Sequence, residues 1–473
     1  MIGIDVRALR GTGTTEERTV TQTTVRADVS ALPEAPLNPL PVWQQLKAIR
    51  KFYVGQEVLR DAGGPVTRLR LGPTWLIPEV VLLTSPEGAH AVLAAPPECT
   101  DRARGHDEFR QLLGEDLFTL PNAPWLPRRR TLQPVFTKRS VQQFGGHMSQ
   151  AADMVAAGWA DGEVVDLDSS CRRVTLRALG RSVLGIDLDQ RADTITEPMT
   201  TALSYIMGRA MNPFHAPPWL PTPARHQARA AAALLHRIAG DILRATRTDP
   251  DHDAPLVRSM LAATDPDTGR SLTDDEICHD LVAFMLAGHD TTATTLTYAL
   301  WALGRHGEMQ DRVRAEAAAL GGREIAAADL PNLTYTVQVL HEALRLCPPG
   351  AGNQRLIIRD IDVCGYRVPA GTIAAIGVYA MHRDSDLWER PLQFDPDRFS
   401  PARSKARDRW QFIPFGAGNR TCIGDHFAML EATLALATIV RSTEIHSLGD
   451  DFPVRLPFTL TADGPILVRV HSV

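Results

Sequence analysis

The sequence predicts a mostly α-helical fold with a minor β region, and three observations support this. From about residue 86 to 347 the 473-residue chain is dominated by Ala, Leu, Arg and Glu in helical spacing. Alternating and β-branched runs are confined to a stretch near residues 66–84 and to the last third of the chain. Thr273-Asp-Asp-Glu276 is a capping box, and the apolar pattern behind it runs through Ala287 and past Gly288 to Gly304. A helix of roughly 30 residues rises about 45 Å, enough to cross a molecule of this size.

Taken in chain order, residues 1–30 are Thr-rich and weakly apolar and are expected to form a disordered tail, with residues 31–473 making one domain. The prolines at 33, 36, 39 and 41 bias their predecessors away from helix, so the folded part begins as an extended segment. Runs between residues 66 and 84, broken at Gly72-Pro73 and Pro78, predict a short hairpin. Helices follow to about residue 347. Strand signals return at 356–363, 372–376 and 466–470. Ile423, Phe427, Leu430, Leu434 and Ala437 mark one further helix between them.

Composition excludes several function classes. The apolar fraction of 44% is enough for a large core, and a net charge of −5 gives no global attraction to nucleic acid or an anionic membrane. Six cysteines without C-x-x-C spacing argue against a disulfide framework or a zinc site, and a cytoplasmic protein with reduced thiols is expected. No apolar run reads as a signal peptide or a membrane span.

Chemistry concentrates in Phe415-Gly416-Ala417-Gly418-Asn419-Arg420-Thr421-Cys422-Ile423-Gly424. One cysteine stands in a glycine-rich loop that leads into a helix, where free N–H groups and the macrodipole favour a thiolate. Such a loop suits a permanent thiolate ligand to a large flat cofactor. Gly416 and Gly424 let the backbone approach closely, Phe415 can shield the sulfur, and Arg420 can reach an anionic substituent. The middle of the long helix is unusual as well. Ala287-Gly288-His289-Asp290-Thr291-Thr292 places a glycine, an acid and two alcohols where a buried helix is normally apolar, and the glycine costs about 1 kcal/mol against alanine.

The loop fills every specified position of Phe-x-x-Gly-x-Arg-x-Cys-x-Gly and so resembles the haem-binding signature of the cytochrome P450 superfamily. The helix hexapeptide is similar to that family's Ala/Gly-Gly-x-Asp/Glu-Thr-Thr pattern. The resemblance implies the P450 fold with its long central helix over the haem, and haem b ligated at iron by Cys422. It implies oxygen chemistry at Thr291, proton relay through Asp290, and room for dioxygen beside Ala287 and Gly288. Trp125, Arg129 and Arg355 are implied to join Arg420 around the haem propionates, with the helix holding Trp125 starting near residue 126 so that Pro127 falls at its first position. Glu342, Arg345 and Arg398 match the family's structural triad. Ala283, Ala287, Gly288, Gly350, Ala351 and Gly352 are expected to leave a roomy substrate pocket, entered past Ile206, Met207, Met211, Phe214, Trp219 and Leu220.

The activity so implied is insertion of one oxygen atom of O2 into a C–H bond of a terpenoid, steroid or fatty-acid-sized molecule. Electrons would come from NAD(P)H through a reductase and a separate ferredoxin or flavodoxin. Arg128, Arg129, Arg130, Lys138 and Arg139, with Arg403, Lys405, Arg407 and Arg409, are read as a basic docking face, and a monomer is expected. A peroxide-driven peroxygenase or a haem-thiolate isomerase or dehydratase is the alternative, disfavoured by the intact Asp290 and Thr291. A haem gas sensor is more remote, because no output domain is recognisable.

Overall fold

A computed structural model describes residues 29–74, 77–103, 105–185, 192–210, 216–217 and 219–473. The Thr-rich residues 1–28, and Met211 and Phe214 of the expected entrance, lie outside the described residues.

The long helix spans Asp274–Leu303 and opens on the capping box, with the Thr273 side chain accepting from Glu276 N and the Glu276 side chain accepting from Thr273 N. More than half of its residues are buried, and it packs on the helices Leu167–Leu179, Pro223–Thr248, Thr334–Leu346 and Asp425–Ser442. Gly288 lies against the Leu167–Leu179 helix. A Cβ there would meet Leu179 Cδ1 at 3.3 Å, so the missing side chain leaves room for the Leu179 side chain.

Segments distant in sequence assemble the β region. Val66–Leu69 pairs antiparallel with Val80–Leu83, which pairs parallel with Ile373–Ile376. Asn353–Ile357 lies antiparallel to Ile373–Ile376, and Thr100–Asp101 closes the sheet on its far side. Asp101 stands opposite Leu356 in that register, which brings Asp101, Arg102 and Arg355 to one edge. A second sheet sets Val164–Asp166 and Thr443–Ser447 on either side of Leu467–Ser472.

Two expectations are corrected. The run at 356–363 is not one strand: it divides into Asn353–Ile357 and Ile361–Val363. The second piece turns back on Tyr366–Val368 through Cys364 and Gly365, whose φ values of 56° and 83° are those of a tight two-residue hairpin turn. Nor does the Trp125 helix begin near residue 126. It spans Asn122–Leu132 with Pro127 inside it. Tertiary bonds anchor the earlier start: Asn122 N donates to Asp101 Oδ1 at 3.0 Å and Asn122 Nδ2 donates to Thr100 O at 2.5 Å, and the first helical bond runs from Trp125 N to Pro121 O at 3.0 Å.

Candidate active site

Cys422 stands three residues ahead of the Asp425–Ser442 helix, on a loop whose shape the glycines permit. Gly416 and Gly418 have φ of 69° and 71°, and a Cβ on Gly418 would lie 1.9 Å from Leu93 O. Gly418 is thus the glycine that packing enforces, although sequence reasoning singled out Gly416 and Gly424. The Cys422 N–H donates to Phe415 O at 2.9 Å, and the Gly424 N–H bonds the sulfur.

The Cys422 side chain is accessible although it lies deep among protein atoms, so the surface it shows is the wall of an interior cleft. Burial raises its thiol above the ordinary value; the Gly424 bond and Arg129 oppose this, and Asp425 adds to it. The helix terminus therefore does not win on its own, contrary to the expected depression. Desolvation of the free thiolate is the larger effect.

The long helix presents a second accessible feature. Ala283, Ala287 and Thr291, spaced i, i+4 and i+8, form a partly open stripe between buried flanks. Thr291 Oγ1 donates to Ala287 O at 2.7 Å. Asp290 is ion-paired with Arg172, whose Nε donates to Asp168 Oδ2 at 2.7 Å, and Asp168 is itself mostly buried, its Oδ1 without a partner. His289 turns away toward the neighbouring helix, its Nδ1 3.2 Å from Thr175 Oγ1, and burial lowers it to about 4.

Around the loop the fold gathers cations. The Arg420 guanidinium lies 4.3 Å over the Trp125 ring, donates to Leu120 O at 2.8 Å, and reaches Asp101 at 3.5 Å. Arg355 is buried, and burial lowers it to about 10, with Asp101 opposing. Burial, then Arg355 and Arg129, also lower Arg420 to about 10, against Asp101. Arg129 feels Cys422 and Asp425 and is likewise lowered by burial.

Sequence reasoning missed two members, Arg102 and His106. Arg102 is lowered well below its usual value by burial and by Arg355 and Arg420, and its Nε is buried without a partner. Burial and Arg102 push His106 down to about 3, so its ring is neutral. Arginine stays protonated in proteins. Four guanidinium groups that repel one another, with an orphaned donor and Asp101 as the shared nearby acid, therefore fit the dianionic edge of a haem.

The triad is closed. Arg345 Nε and Nη2 bond the two Glu342 oxygens at 2.7 and 2.8 Å, Arg398 Nε reaches Glu342 Oε1 at 3.3 Å, and Asp395 N donates to the same oxygen at 2.9 Å. Arg345 also holds His382 O and Pro391 O at 2.8 and 2.6 Å, tying the chain ahead of the cysteine loop.

Several pocket and surface assignments change. Ala351 is buried beside Cys347, Tyr379 and Leu460, and its carbonyl accepts from Gln56 at 2.9 Å. A Cβ on Gly352 would meet Ile376 O and Phe52 at 3.0 Å, so this glycine serves packing against the sheet. Gly350 faces Pro414 O, and Gly288 faces Leu179, so neither opens the pocket by its small size alone. Ile206 is buried in the core, and Trp219 and Leu220 are exposed. Arg128 is not a surface charge: it is buried, bonding Asp280 at 2.6 Å and Glu276 at 2.9 Å. Arg130 is paired with Asp265 and Asp267. Lys138, Arg139, Lys405 and Arg409 remain exposed. Among the described residues no helix is long and apolar enough to cross a membrane.

Residues 33–467 match the family model for Cytochrome P450. Pentalenene oxygenase of Streptomyces avermitilis is 33% identical over 431 residues, covering 91% of this chain and 94% of that protein. Cyclooctat-9-en-7-ol 5-monooxygenase of Streptomyces melanosporofaciens is 32% identical over 80% of this chain and 82% of its own. Cyclooctatin synthase of the same organism is 32% identical over 86% and 88%. The fold matches the crystal structure of the cytochrome P450DA heme domain with a TM-score of 0.82 at 24% identity, over 93% of this chain and 98% of that one.

Proposed function

The chain belongs to the cytochrome P450 family and is a monooxygenase, a haem-iron oxidoreductase; from that premise we propose which residues serve the reaction and which class of substrate it takes. Cys422 is the thiolate ligand of the haem iron. A bound metal cation deprotonates a coordinating thiol outright, which offsets the desolvation that raises the free thiol. Arg102, Arg129, Arg355 and Arg420 would hold the propionates, and Trp125 backs Arg420, while His106, neutral and with Nδ1 bonded to Ala103 O, packs beside Arg102 without adding a charge. The haem, when bound, supplies oxygen activation and C–H hydroxylation.

The protein's own residues supply position, dryness and protons. Thr291 holds a proton at Oγ1 on the open stripe. Asp290 passes protons inward and is held in place by its ion pair with Arg172, which Asp168 braces in turn. NAD(P)H supplies electrons through a reductase and a ferredoxin or flavodoxin. A docking face of Lys138, Arg139, Lys405 and Arg409 supports that partner, and Arg128 and Arg130 take no part in it.

The observation that carries this reading is the pairing of an accessible interior cysteine, on the loop ahead of the Asp425–Ser442 helix, with an accessible alanine–threonine stripe on the long helix that packs against that helix. An apolar cleft takes a neutral molecule by burial, at about 25 cal/mol per Å². The relatives named for pentalenene and cyclooctat-9-en-7-ol narrow the terpenoid, steroid and fatty-acid classes to a cyclic terpenoid. The haem-loaded protein is expected to show the spectral shift of distal-water displacement with cyclic terpene hydrocarbons and alcohols. A screen in which only small charged metabolites produced the shift would sink the substrate class.

Thr291→Ala is expected to keep consuming reduced cofactor while product per electron pair falls by about tenfold, at or below the scale that a positioned proton-transfer group contributes, and peroxide rises. Peroxide release measured against product checks it. Unchanged coupling removes Thr291 from the proton path, and turnover supported by peroxide alone favours the peroxygenase reading.

A further inference from the structure

Beyond its acid–alcohol turn the long helix carries two aromatic side chains. Tyr298 and Trp301 stand roughly 10 and 15 Å farther along it than Thr291, and with Phe452 they form one wall of a cavity of about 170 Å³. The three rings pack on one another at centroid distances of 4.9 to 5.3 Å. Tyr379 and Arg383 also line the cavity, from the chain beyond the Thr334–Leu346 helix, and Val454 and Leu460 line it from a hairpin near the C-terminus. An engineered apolar cavity of about 150 Å³ takes benzene, so there is room here for one six-membered ring.

Three donors on its walls are uncommitted. Neither the Tyr298 nor the Tyr379 hydroxyl has a hydrogen-bond partner among the described residues, and burial raises both phenols, Tyr379 to about 12, so both keep their protons. Arg383 lies 3.9 Å over the Tyr379 ring, gives one N–H to Leu346 O, and has no carboxylate at ion-pair distance among the described residues. Donors so placed call for an oxygen, from water or from a ligand. The surrounding charges select a neutral ligand. Arg383 opposes an ammonium, and Asp451, exposed on the rim, opposes a carboxylate, whereas Asp450 is paired with Arg305 at 2.6 Å.

The hairpin connects this cavity to the cleft. Val454–Arg455 pairs with Thr461–Ala462, Tyr53 Oη donates to Val454 O at 3.0 Å, and Leu460 N donates to Pro349 O at 2.8 Å. Between the two strands, Phe458 packs on Phe109 and Phe118 at 5.0 and 5.9 Å, and the Arg102 guanidinium lies 5.0 Å over the Phe118 ring. A ligand held between the long helix and Val454 and Leu460 therefore bears on the hairpin that also touches the segment of Arg102 and His106. We propose that the cavity is an effector site for a neutral oxygenated ring compound, a cyclic alcohol or ketone, whose occupancy steadies the hairpin and tightens substrate binding in the cleft. The coupling rests on the reading of the cleft as the substrate site; the cavity itself does not.

Calorimetry on the ferric haem-loaded protein, with imidazole on the iron to occupy the cleft, tests the cavity. Cyclohexanol and cyclohexanone are expected to bind, and benzoate and cyclohexylamine to bind at least about tenfold more weakly. Val454→Trp, which fills the cavity, should abolish cyclohexanol binding. Tyr298→Phe combined with Tyr379→Phe, which removes both hydroxyls and leaves the rings in place, should weaken it about tenfold. Spectral titration with whichever apolar compound displaces the distal water tests the coupling. Its affinity is expected to rise about fivefold when cyclohexanol is saturating, and to be unmoved by cyclohexanol in Val454→Trp.

No cyclohexanol binding to the imidazole-ligated protein, or binding that Val454→Trp leaves intact, overturns the site. Benzoate or cyclohexylamine binding as tightly as cyclohexanol overturns the ligand class. Should Val454→Trp fail to fold, unchanged affinity in the double tyrosine variant overturns the site as well. A spectral titration that cyclohexanol leaves unmoved or weakens overturns the coupling. When no apolar compound displaces the distal water, the substrate reading fails and the coupling with it, while calorimetry still reports on the cavity, so the two failures are distinguishable.

Discussion

Replacing Cys422 by serine is expected to abolish hydroxylation, lowering turnover by about a thousandfold or more, the scale on which enzymes lose rate when a group central to the chemistry is removed. The substitution changes one atom in a loop whose backbone bonds stay in place, with Cys422 N on Phe415 O at 2.9 Å and Gly418 pressed against Leu93 O. The Gly424 N–H that bonds the sulfur can bond a hydroxyl equally well. An alcohol is neutral where a thiolate is charged and electron-rich, so the donation that assists O–O cleavage is lost while the cation cluster still holds the haem. The expected signature is haem retention without the thiolate-type spectrum of the ferrous carbon-monoxide complex. Survival of that spectrum would remove Cys422 as the ligand.

The second large effect is on stability. Glu342→Ala leaves Arg345, with no exposure, and Arg398, at 5% exposure, without their carboxylate, and about 3–5 kcal/mol of folding free energy is expected to be lost. The comparison is Asp397→Ala, which breaks a two-point pair with Arg312 at 2.8 and 2.9 Å that is about half exposed on both sides. Less than about 1 kcal/mol is expected there, because water already screens the charges. Denaturant midpoints of the two variants check the contrast, and similar losses would show that the triad is not worth more than a surface pair.

The sequence disclosed what local pattern determines. The capping box at Thr273, the cysteine loop and the Glu342–Arg345 spacing each lie within a few residues, and the structure has them as helix start, glycine-shaped loop and closed ion pair. Pairings across the fold were not legible. Arg128 and Arg130 look like free surface charge until Asp280, Glu276 and Asp265 arrive from more than a hundred residues away. Arg102 and His106 carry no motif and join the site because Thr100–Asp101 pairs with the strand that bears Arg355. Pro127 argued for a later helix start, and only the bonds from Asn122 to Asp101 and Thr100 explain why the helix begins earlier. The upward shift of Cys422 was hidden for a related reason: the desolvation that causes it is a property of the packed cleft, not of the loop's own residues.

The pairing of Val164–Asp166 with Leu467–Ser472 also sets a schedule for the ribosome. That strand leaves the exit tunnel roughly 300 residues before its partner, and at about 5–20 residues per second it waits on the order of 15–60 s with its backbone unmatched. Val80–Leu83 waits almost as long for Ile373–Ile376. The helices between them can form as they emerge, but both sheets close only once the last third of the chain is made. The nascent protein therefore carries open strand edges through most of its synthesis, the period in which a chaperone that shields such edges has most to contribute.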